Sequence, residues 1–306
     1  MRNAFSKEIT NIVKKNKRIF LISGDIGNNL FNDYKTVSNN FLNCGVAEQS
    51  MISLSAGLAM TGYIPVVYTI APFVTSRCYE QIKIDLCYQK IKVILVGTGS
   101  GYSYSHLGST HHSLEDIAIL RSLPNINILA PSDPNEVKEA LNAAIKNNIS
   151  TYIRIGKKGE SNFEKFSKFE IGKARIINKG TNICIISTGV MISEGYKLFK
   201  KLKDININAE LVNMHTIKPL DNKYLNKAIK KFDLIISLEE HSKIGGLGSA
   251  ISEFFSTFKK TPKLKIIGTK DSFVDTVGSI DYLRKKNNMD SNSFIKLSNS
   301  LSLGDL

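Results

Sequence analysis

Two doubly wound α/β domains, each built on a mainly parallel sheet, are the fold that this sequence predicts. Three observations point there. Apolar runs of strand length alternate with longer helical patterns along most of the chain, the pattern of a parallel sheet covered by helices. The chain has 306 residues, enough for two domains at roughly 100–200 residues each. Near its middle a charged, polar stretch without periodicity interrupts the pattern and reads as a linker. The domains are then 1–157 and 173–306, with 158–172 between them.

The elements follow in order. Ala4 to Lys15 is helical, and the apolar run Ile19 to Ser23 is a buried strand. Gly45 to Gly62 is helical, with Ser53, Ala56, Gly57 and Ala59 permitting close packing. A strand over Pro65 to Thr69 precedes a helix from Val74 to Tyr88, and Lys92 to Gly97 is the next strand. A long loop then reaches Ser113, followed by a helix from Leu114 to Ser122 and a strand from Asn127 to Ala130. Ser132-Asp133-Pro134 opens a helix to Lys146, with an N-cap oxygen and a proline in the first turn, and Thr151 to Ile155 is a strand. In the second domain the strands are Asn182 to Thr188, Ala209 to Asn213, Leu234 to Glu239 and Lys263 to Ile267. Helices over Met191 to Leu202, Asn222 to Lys231 and Gly248 to Phe258 separate them.

Composition narrows the function classes. A formal net charge of +14 invites a nucleic-acid reading, but pairs such as Lys14-Lys15, Lys200-Lys201 and Lys285-Lys286 are dispersed over the whole length. No arginine- or aromatic-interleaved stripe gathers them, so the charge describes a solvated surface. Cys44, Cys78, Cys87 and Cys184 form no C-x-x-C pair and have no histidines at zinc-ligand spacing. Reduced thiols in a cytoplasmic protein are the expectation. The run Ile19 to Ser23 is too short for a signal core or a membrane span. Gly97-Thr98-Gly99-Ser100-Gly101 lacks the spacing and the downstream acidic residue of a dinucleotide fingerprint.

Three stretches of the first domain carry chemistry: Asn43-Cys44-Gly45-Val46-Ala47-Glu48-Gln49, the run Ala71 to Ile82 containing Phe73 and Arg77, and Leu107-Gly108-Ser109-Thr110-His111-His112-Ser113. Val212 to Asp221, Glu239-Glu240-His241 and Ile244 to Gly248 stand out in the second. In this order and combination the chain resembles the transketolase family over nearly its whole length, as a pyrimidine-binding domain followed by a transketolase C-terminal domain.

The resemblance implies thiamine diphosphate as cofactor and assigns roles residue by residue. Glu48 would bond a ring nitrogen of the aminopyrimidine and so promote loss of the thiazolium proton, its protonation tuned by burial. Its plainer reading is a solvated first-turn glutamate favoured by the helix dipole. Phe73 would stack on the aminopyrimidine, a contact that wants a flat ring; otherwise it is core. Asp25 matches an aspartate near the cofactor, or else closes an Asx-turn after a strand. His111 matches the histidine of a T-H-Q motif that meets the substrate oxygen, and His112 replaces the glutamine. Arg77 and Arg154 match arginines that reach an anionic or polyhydroxyl substrate through planar donors; the alternative for each is an ion pair.

Two departures and one absence complete the expectation. Family members have G-E-D-G-x-T-H before the histidine, with an aspartate on a substrate hydroxyl and an upstream histidine; here those positions are Leu107 and Gly99. An acceptor other than an ordinary aldose phosphate is implied. The family's G-D-G…N motif, which holds Mg2+ and the diphosphate through oxygen ligands, is missing, so no metal ligands are expected in this chain. A separate transketolase N-terminal subunit would supply them, in an α2β2 assembly acting on sugars. The beta subunit of a 2-oxo acid dehydrogenase and a deoxyxylulose-phosphate-synthase-like enzyme share this architecture, and a non-catalytic paralogue would differ from all three in having lost the site.

Overall fold

The computed structural model describes residues 1–27, 29–157, 160 and 168–294. The first domain runs α1 (Arg2–Lys15), β1 (Ile19–Ser23), α2 (Asn32–Val37), β2 (Phe41–Asn43), α3 (Glu48–Met60), β3 (Ile64–Ile70), α4 (Ala71–Val74), α5 (Tyr79–Gln81), β4 (Ile94–Thr98), α6 (Asp116–Arg121), β5 (Ile126–Leu129), α7 (Pro134–Lys146) and β6 (Ser150–Ile155). The second runs β7 (Arg175–Asn178), β8 (Ile183–Ser187), α8 (Ile192–Asp204), β9 (Ala209–Asn213), β10 (Thr216–Lys218), α9 (Asn222–Lys231), β11 (Leu234–Ser242), α10 (Leu247–Phe255), β12 (Lys263–Thr269) and α11 (Ile280–Lys286). The seven-stranded sheet has the order β10-β5-β6-β4-β3-β1-β2, and the five-stranded sheet β12-β11-β8-β9-β7. All pairings are parallel except those of β10 with β5 and β7 with β9. The expected α/β class is therefore the observed one. Most of the expected linker, residues 158, 159 and 161–167, lies outside the described residues.

Alternation along the strands explains why both faces of the first sheet are covered. Leu21, Val66 and Val96 face one core with Phe5, Ile9 and Val13 of α1, which recur every fourth residue on one helix face. Ile22, Val67 and Leu95 face the opposite core. That core continues without a break into Cys184, Ile186, Val212 and Ile235 of the second sheet. The domains thus share apolar packing, and β10 crosses over to extend the first sheet.

Some elements differ from those read in the sequence. β2 and β10 have three residues each, too few for a periodic signal, and β7 is an antiparallel edge strand. The expected helix from Val74 to Tyr88 is broken. Thr75 leaves helical geometry (φ −107°, ψ −78°) and its hydroxyl bonds back to the Ala71 carbonyl at 2.7 Å. A 3-10 turn over Ser76–Cys78 follows, then α5, then a π-helical turn over Ile82–Tyr88, a form common at functional sites. The expected cap of α7 is present: the Asp133 side chain accepts from the Glu136 N–H at 2.7 Å, and the Glu136 carboxylate reaches back to the Ser132 N–H at 2.6 Å.

A buried histidine links this packing to pH. The His215 ring stacks on Phe169 with centroids 4.1 Å apart. Burial, and then the charge of Arg175, push its pKa down to about 3. The unfolded chain takes up this proton near pH 6.5 and the folded chain only near 3, so in that window acid favours unfolding. His215→Gln is expected to flatten the acid limb of stability by up to about 1.4 kcal/mol per pH unit between those values. Urea midpoints of both proteins from about pH 7 to 4 check this; parallel curves would show that His215 does not titrate on unfolding.

Candidate active site

The residues singled out in the first domain gather where the parallel strands end at their carboxyl termini, the usual ligand position in such sheets. Glu48 is the first residue of α3, so its carboxylate sits at the positive end of that helix. Phe73 lies in α4 directly after β3, and His111 in the loop between β4 and α6. Only 4% of Glu48 is exposed, and its Oε2 accepts from Arg77 Nη1 at 2.8 Å. The Arg77 guanidinium also lies over the Phe73 ring, 4.2 Å from its centroid. The His111 ring meets Phe73 edge-on, with centroids 5.2 Å apart. Gln49 holds the Arg77 backbone, its Nε2 donating to the Arg77 carbonyl at 3.1 Å. Four of the expected site residues, Glu48, Phe73, Arg77 and His111, therefore form one contiguous cluster.

What this cluster can hold is visible in Arg77. A planar group carrying N–H bonds rests on Phe73 and donates to Glu48 at once. A cofactor aminopyrimidine would need the same two contacts, so the ring and the carboxylate suit it. His111 is equipped for proton transfer. Thr110 Oγ1 lies 2.9 Å from its Nδ1, and partial burial, then the positive charge of Arg77, hold its pKa below the usual histidine value. It is neutral at about pH 7 and able to accept a proton.

The remaining expected residues are placed differently. Asp25 is exposed at the rim, tied to the cluster by a backbone bond from its N–H to the Gly45 carbonyl at 3.0 Å. His112 is a correction: it is 2% exposed and faces inward against Tyr102, with ring centroids 5.3 Å apart. Adjacent residues in this loop point to opposite sides, so His112 does not share the surface of His111. Arg154 is a second correction. Its Nε donates to Asp116 Oδ2 and its Nη2 to the carbonyls of Ser113 and Glu240, each at 2.8 Å. At 3% exposure it is a buried structural cation rather than a substrate-facing one.

Two neighbours of His111 escaped the sequence reading. The Tyr104 ring lies 6.0 Å from that of His111. It also fills the space beside Gly99, where a Cβ would fall 2.1 Å from a ring carbon. Lys157 Nζ in turn lies over the Tyr104 ring, 4.3 Å from its centroid. The only sequence signal was a pair of tyrosines in a glycine-rich loop.

Comparison with known proteins identifies the family. Residues 1–159 match the family model described as "Transketolase, pyrimidine binding domain", and residues 172–274 match "Transketolase, C-terminal domain". An apulose-4-phosphate transketolase subunit of Actinobacillus succinogenes is 36% identical over 268 residues, covering 87% of this chain and 86% of that protein. A 6-deoxy-6-sulfo-D-fructose transketolase subunit of a Clostridium species is 29% identical, covering 94% and 89%. Among solved structures, one described as "Split gene transketolase, inactive beta4 tetramer" superposes with a TM-score of 0.86 at 28% identity, covering 95% of this chain and 94% of that one.

The placement of Arg154 has a direct consequence. Arg154→Met leaves the Asp116 carboxylate buried without its counter-ion, which costs about 3–5 kcal/mol of stability. Urea denaturation of the variant is expected to show that loss. A fully stable variant with weakened substrate binding would return Arg154 to the substrate.

Proposed function

The chain belongs to the transketolase family, and from that premise we propose that it is the C-terminal subunit of a split transketolase. Its reaction is the transfer of a two-carbon ketol unit from a ketose donor to an aldehyde or keto-sugar acceptor. The observation that carries this reading is the convergence of Glu48, Phe73 and His111 on one surface. Bound thiamine diphosphate supplies the acidic thiazolium carbon on which the chemistry takes place. This chain supplies the rest of that half-site. Glu48 would share a proton with a ring nitrogen of the aminopyrimidine, Phe73 would support its face, and neutral His111 would take a proton from a substrate hydroxyl and return it to the acceptor oxygen. The aminopyrimidine would take over the contacts that Arg77 makes with Glu48 and Phe73, and Arg77, with 41% of its side chain exposed, would then turn its planar donors to the sugar. The Thr110-His111 pair favours this reaction over acyl transfer by a 2-oxo acid dehydrogenase beta subunit. A deoxyxylulose-phosphate-synthase-like reaction would use the same cluster with a 2-oxo acid donor in place of a ketose.

A separate N-terminal-type subunit completes the site in this reading, holding the diphosphate and its Mg2+. Three observations support it. The chain carries no G-D-G…N motif, its relatives are named as subunits, and a similar solved chain is described as inactive when it assembles only with itself. Exposed apolar residues on α3, in the loop before it and on the π-helical turn packed against it, among them Val46, Leu54, Ile84 and Tyr88, offer that partner a surface to cover. An α2β2 assembly in the cytoplasm fits the four free cysteines, three of them buried. Among the described residues no helix is long and apolar enough to cross a membrane.

Proton exchange at the thiazolium C2 of thiamine diphosphate, followed by NMR with Mg2+ present, tests both halves of the proposal. Exchange should accelerate only when this chain and an N-terminal-type subunit are combined. Glu48→Gln in that complex should slow it by about 10²–10⁴-fold. Acceleration by this chain alone would refute the split site, and an unaffected glutamine variant would refute the role of Glu48.

The acceptor side is less polar than the family motif prescribes. Leu107 is 51% exposed, Tyr104 closes the space beside Gly99, and Val277 approaches Gly108 to within 3.8 Å of its Cβ position. A sugar hydroxyl buried against Leu107 would lose its partner, at about 1–3 kcal/mol. Behind the loop, a cleft of about 540 Å³ lined by Ser103, Ser105, His106, Lys157 and Arg284 leaves room for a polar appendage. The acceptor in this reading is a modified sugar, deoxy or keto, such as one carried on a nucleotide. A coupled assay should therefore favour nucleotide-linked keto or deoxy sugars over ribose 5-phosphate. Turnover of xylulose 5-phosphate with ribose 5-phosphate at about 10⁴ M⁻¹s⁻¹ or more would show a conventional pocket.

A further inference from the structure

The loop that carries His111 belongs to the first domain, but its base is anchored in the second. It leaves β4 at Thr98, and its two ends are joined by paired backbone bonds, Gly101 N–H to the Ser113 carbonyl at 3.1 Å and Ser113 N–H to the Gly101 carbonyl at 3.0 Å. The next side chain, Tyr102, is fully buried and packs with Ile185, Met191 and Leu238, in the core of the second domain. Its N–H donates to Glu240 Oε1 at 2.9 Å. The other carboxylate oxygen, Oε2, accepts from Arg284 Nε. The Glu240 carbonyl accepts from Arg154, whose same Nη2 also donates to the Ser113 carbonyl. One residue of the second domain therefore holds both ends of the loop, through its side chain at Tyr102 and through Arg154 at Ser113. A further tie runs from Ser109 Oγ to the Val274 carbonyl at 3.2 Å, just before His111.

Gly101 shows how close this approach is. Its φ is +58°, and a Cβ there would fall 2.3 Å from Glu240 Oε1. The loop backbone thus seats directly on the carboxylate, and only glycine permits it.

We infer that Glu240, held by Arg284, is a positioning residue for His111: the second domain fixes the loop and so sets the geometry of proton transfer. A buried carboxylate bonded to a backbone N–H and an arginine has one well-defined arrangement. Displacing a proton-transfer group by a fraction of its hydrogen-bond reach is enough to slow turnover without weakening cofactor binding. The inference rests on the role of His111 proposed above.

Two measurements test it. The pair is removed together, Glu240→Ala with Arg284→Met, so that neither charge is left buried alone. Amide exchange of the full chain by mass spectrometry needs no activity. The peptide spanning residues 99–113 is expected to exchange about tenfold faster or more, with peptides from β1 and β8 unchanged. In the two-subunit complex, kcat is expected to fall about 10–100-fold. The donor KM should move by less than about threefold, and C2 proton exchange, which depends on Glu48, should stay within about twofold. Glu240→Gln combined with Arg284→Met, in which the amide oxygen still accepts from Tyr102 and no charge of the pair is left buried alone, should restore kcat to within about threefold of the wild type. If the double variant does not fold, Gly101→Ala carries the same test, since its methyl group would meet the carboxylate and displace the loop. An unchanged loop exchange or kcat overturns the inference. So does a kcat that falls together with C2 exchange, or a glutamine variant no better than alanine; either would make Glu240 only a structural link between domains. A wild-type complex inert toward every ketose donor would refute the functional reading alone, while the exchange result would still decide whether Glu240 holds the loop.

Discussion

The buried guanidinium of Arg154 is the contact on which the arrangement of the two domains depends. It stands at the end of β6 and joins Asp116 at the start of α6, Ser113 at the end of the long loop and Glu240 on β11. Burial opposes ionisation of Asp116, yet Arg154 and His241 nearby, with the hydroxyl of Tyr152 donating to it, hold its pKa below the usual carboxylate value. A charge taken so far from water is tolerable only when every partner is in place. The strand end, the helix start, the loop and the second domain therefore have one relative arrangement in which this group is satisfied. Apolar packing continuous between the two sheets holds them near one another, but packing is not directional. The polar junction selects the register.

That selection matters because the chemistry sits on segments with little support of their own. Glu48 is fixed by the first turn of a helix and Phe73 by a short helical turn after a strand. His111 is carried by the long loop between β4 and α6, and a loop of that length is ordered only through what it touches. Here it touches the second domain. Placing functional groups on loops over a rigid scaffold is usual in α/β folds; here the scaffold under the His111 loop includes a neighbouring domain.

Much of this was legible in the sequence. Alternating apolar runs and helical patterns revealed the class because both faces of each sheet are covered, and Glu48, Phe73, Arg77 and His111 lie in short motifs whose spacing fixes their place in the fold. Side-chain direction was not legible. Arg154 and Tyr152 both point into the same buried junction, and nothing in Tyr152-Ile153-Arg154 distinguishes an arginine aimed at a substrate from one aimed at Asp116. His112 was assigned with His111 because the two are adjacent, yet one faces the open surface and the other packs under Tyr102. Short elements were also silent. β10 has three residues and joins a sheet in the other domain, so its partner is set by tertiary packing. The change at Thr75 from α-helix to a 3-10 turn is likewise not revealed by a helical periodicity.

The two ends of the site carry different constraints, and the sequence shows them separately. At the proposed cofactor end a buried carboxylate, an aromatic face and a histidine held below its usual pKa meet in one cluster, each of the type that the proposed chemistry requires. At the proposed acceptor end Leu107 and Gly99 stand where the family motif has polar residues, and Gly99 is compatible with the Tyr104 ring beside it. A bulky residue at 99 would collide with the Tyr104 ring, while the ring covers the space that a smaller residue leaves. Substituting one position alone would leave either a clash or a gap, whereas the pair makes a closed, less polar wall beside His111. Such a wall fits the modified-sugar acceptor proposed above. A site that had merely lost its function would have no reason to keep Glu48 buried, Phe73 covered and His111 below its ordinary pKa while rebuilding the wall opposite them.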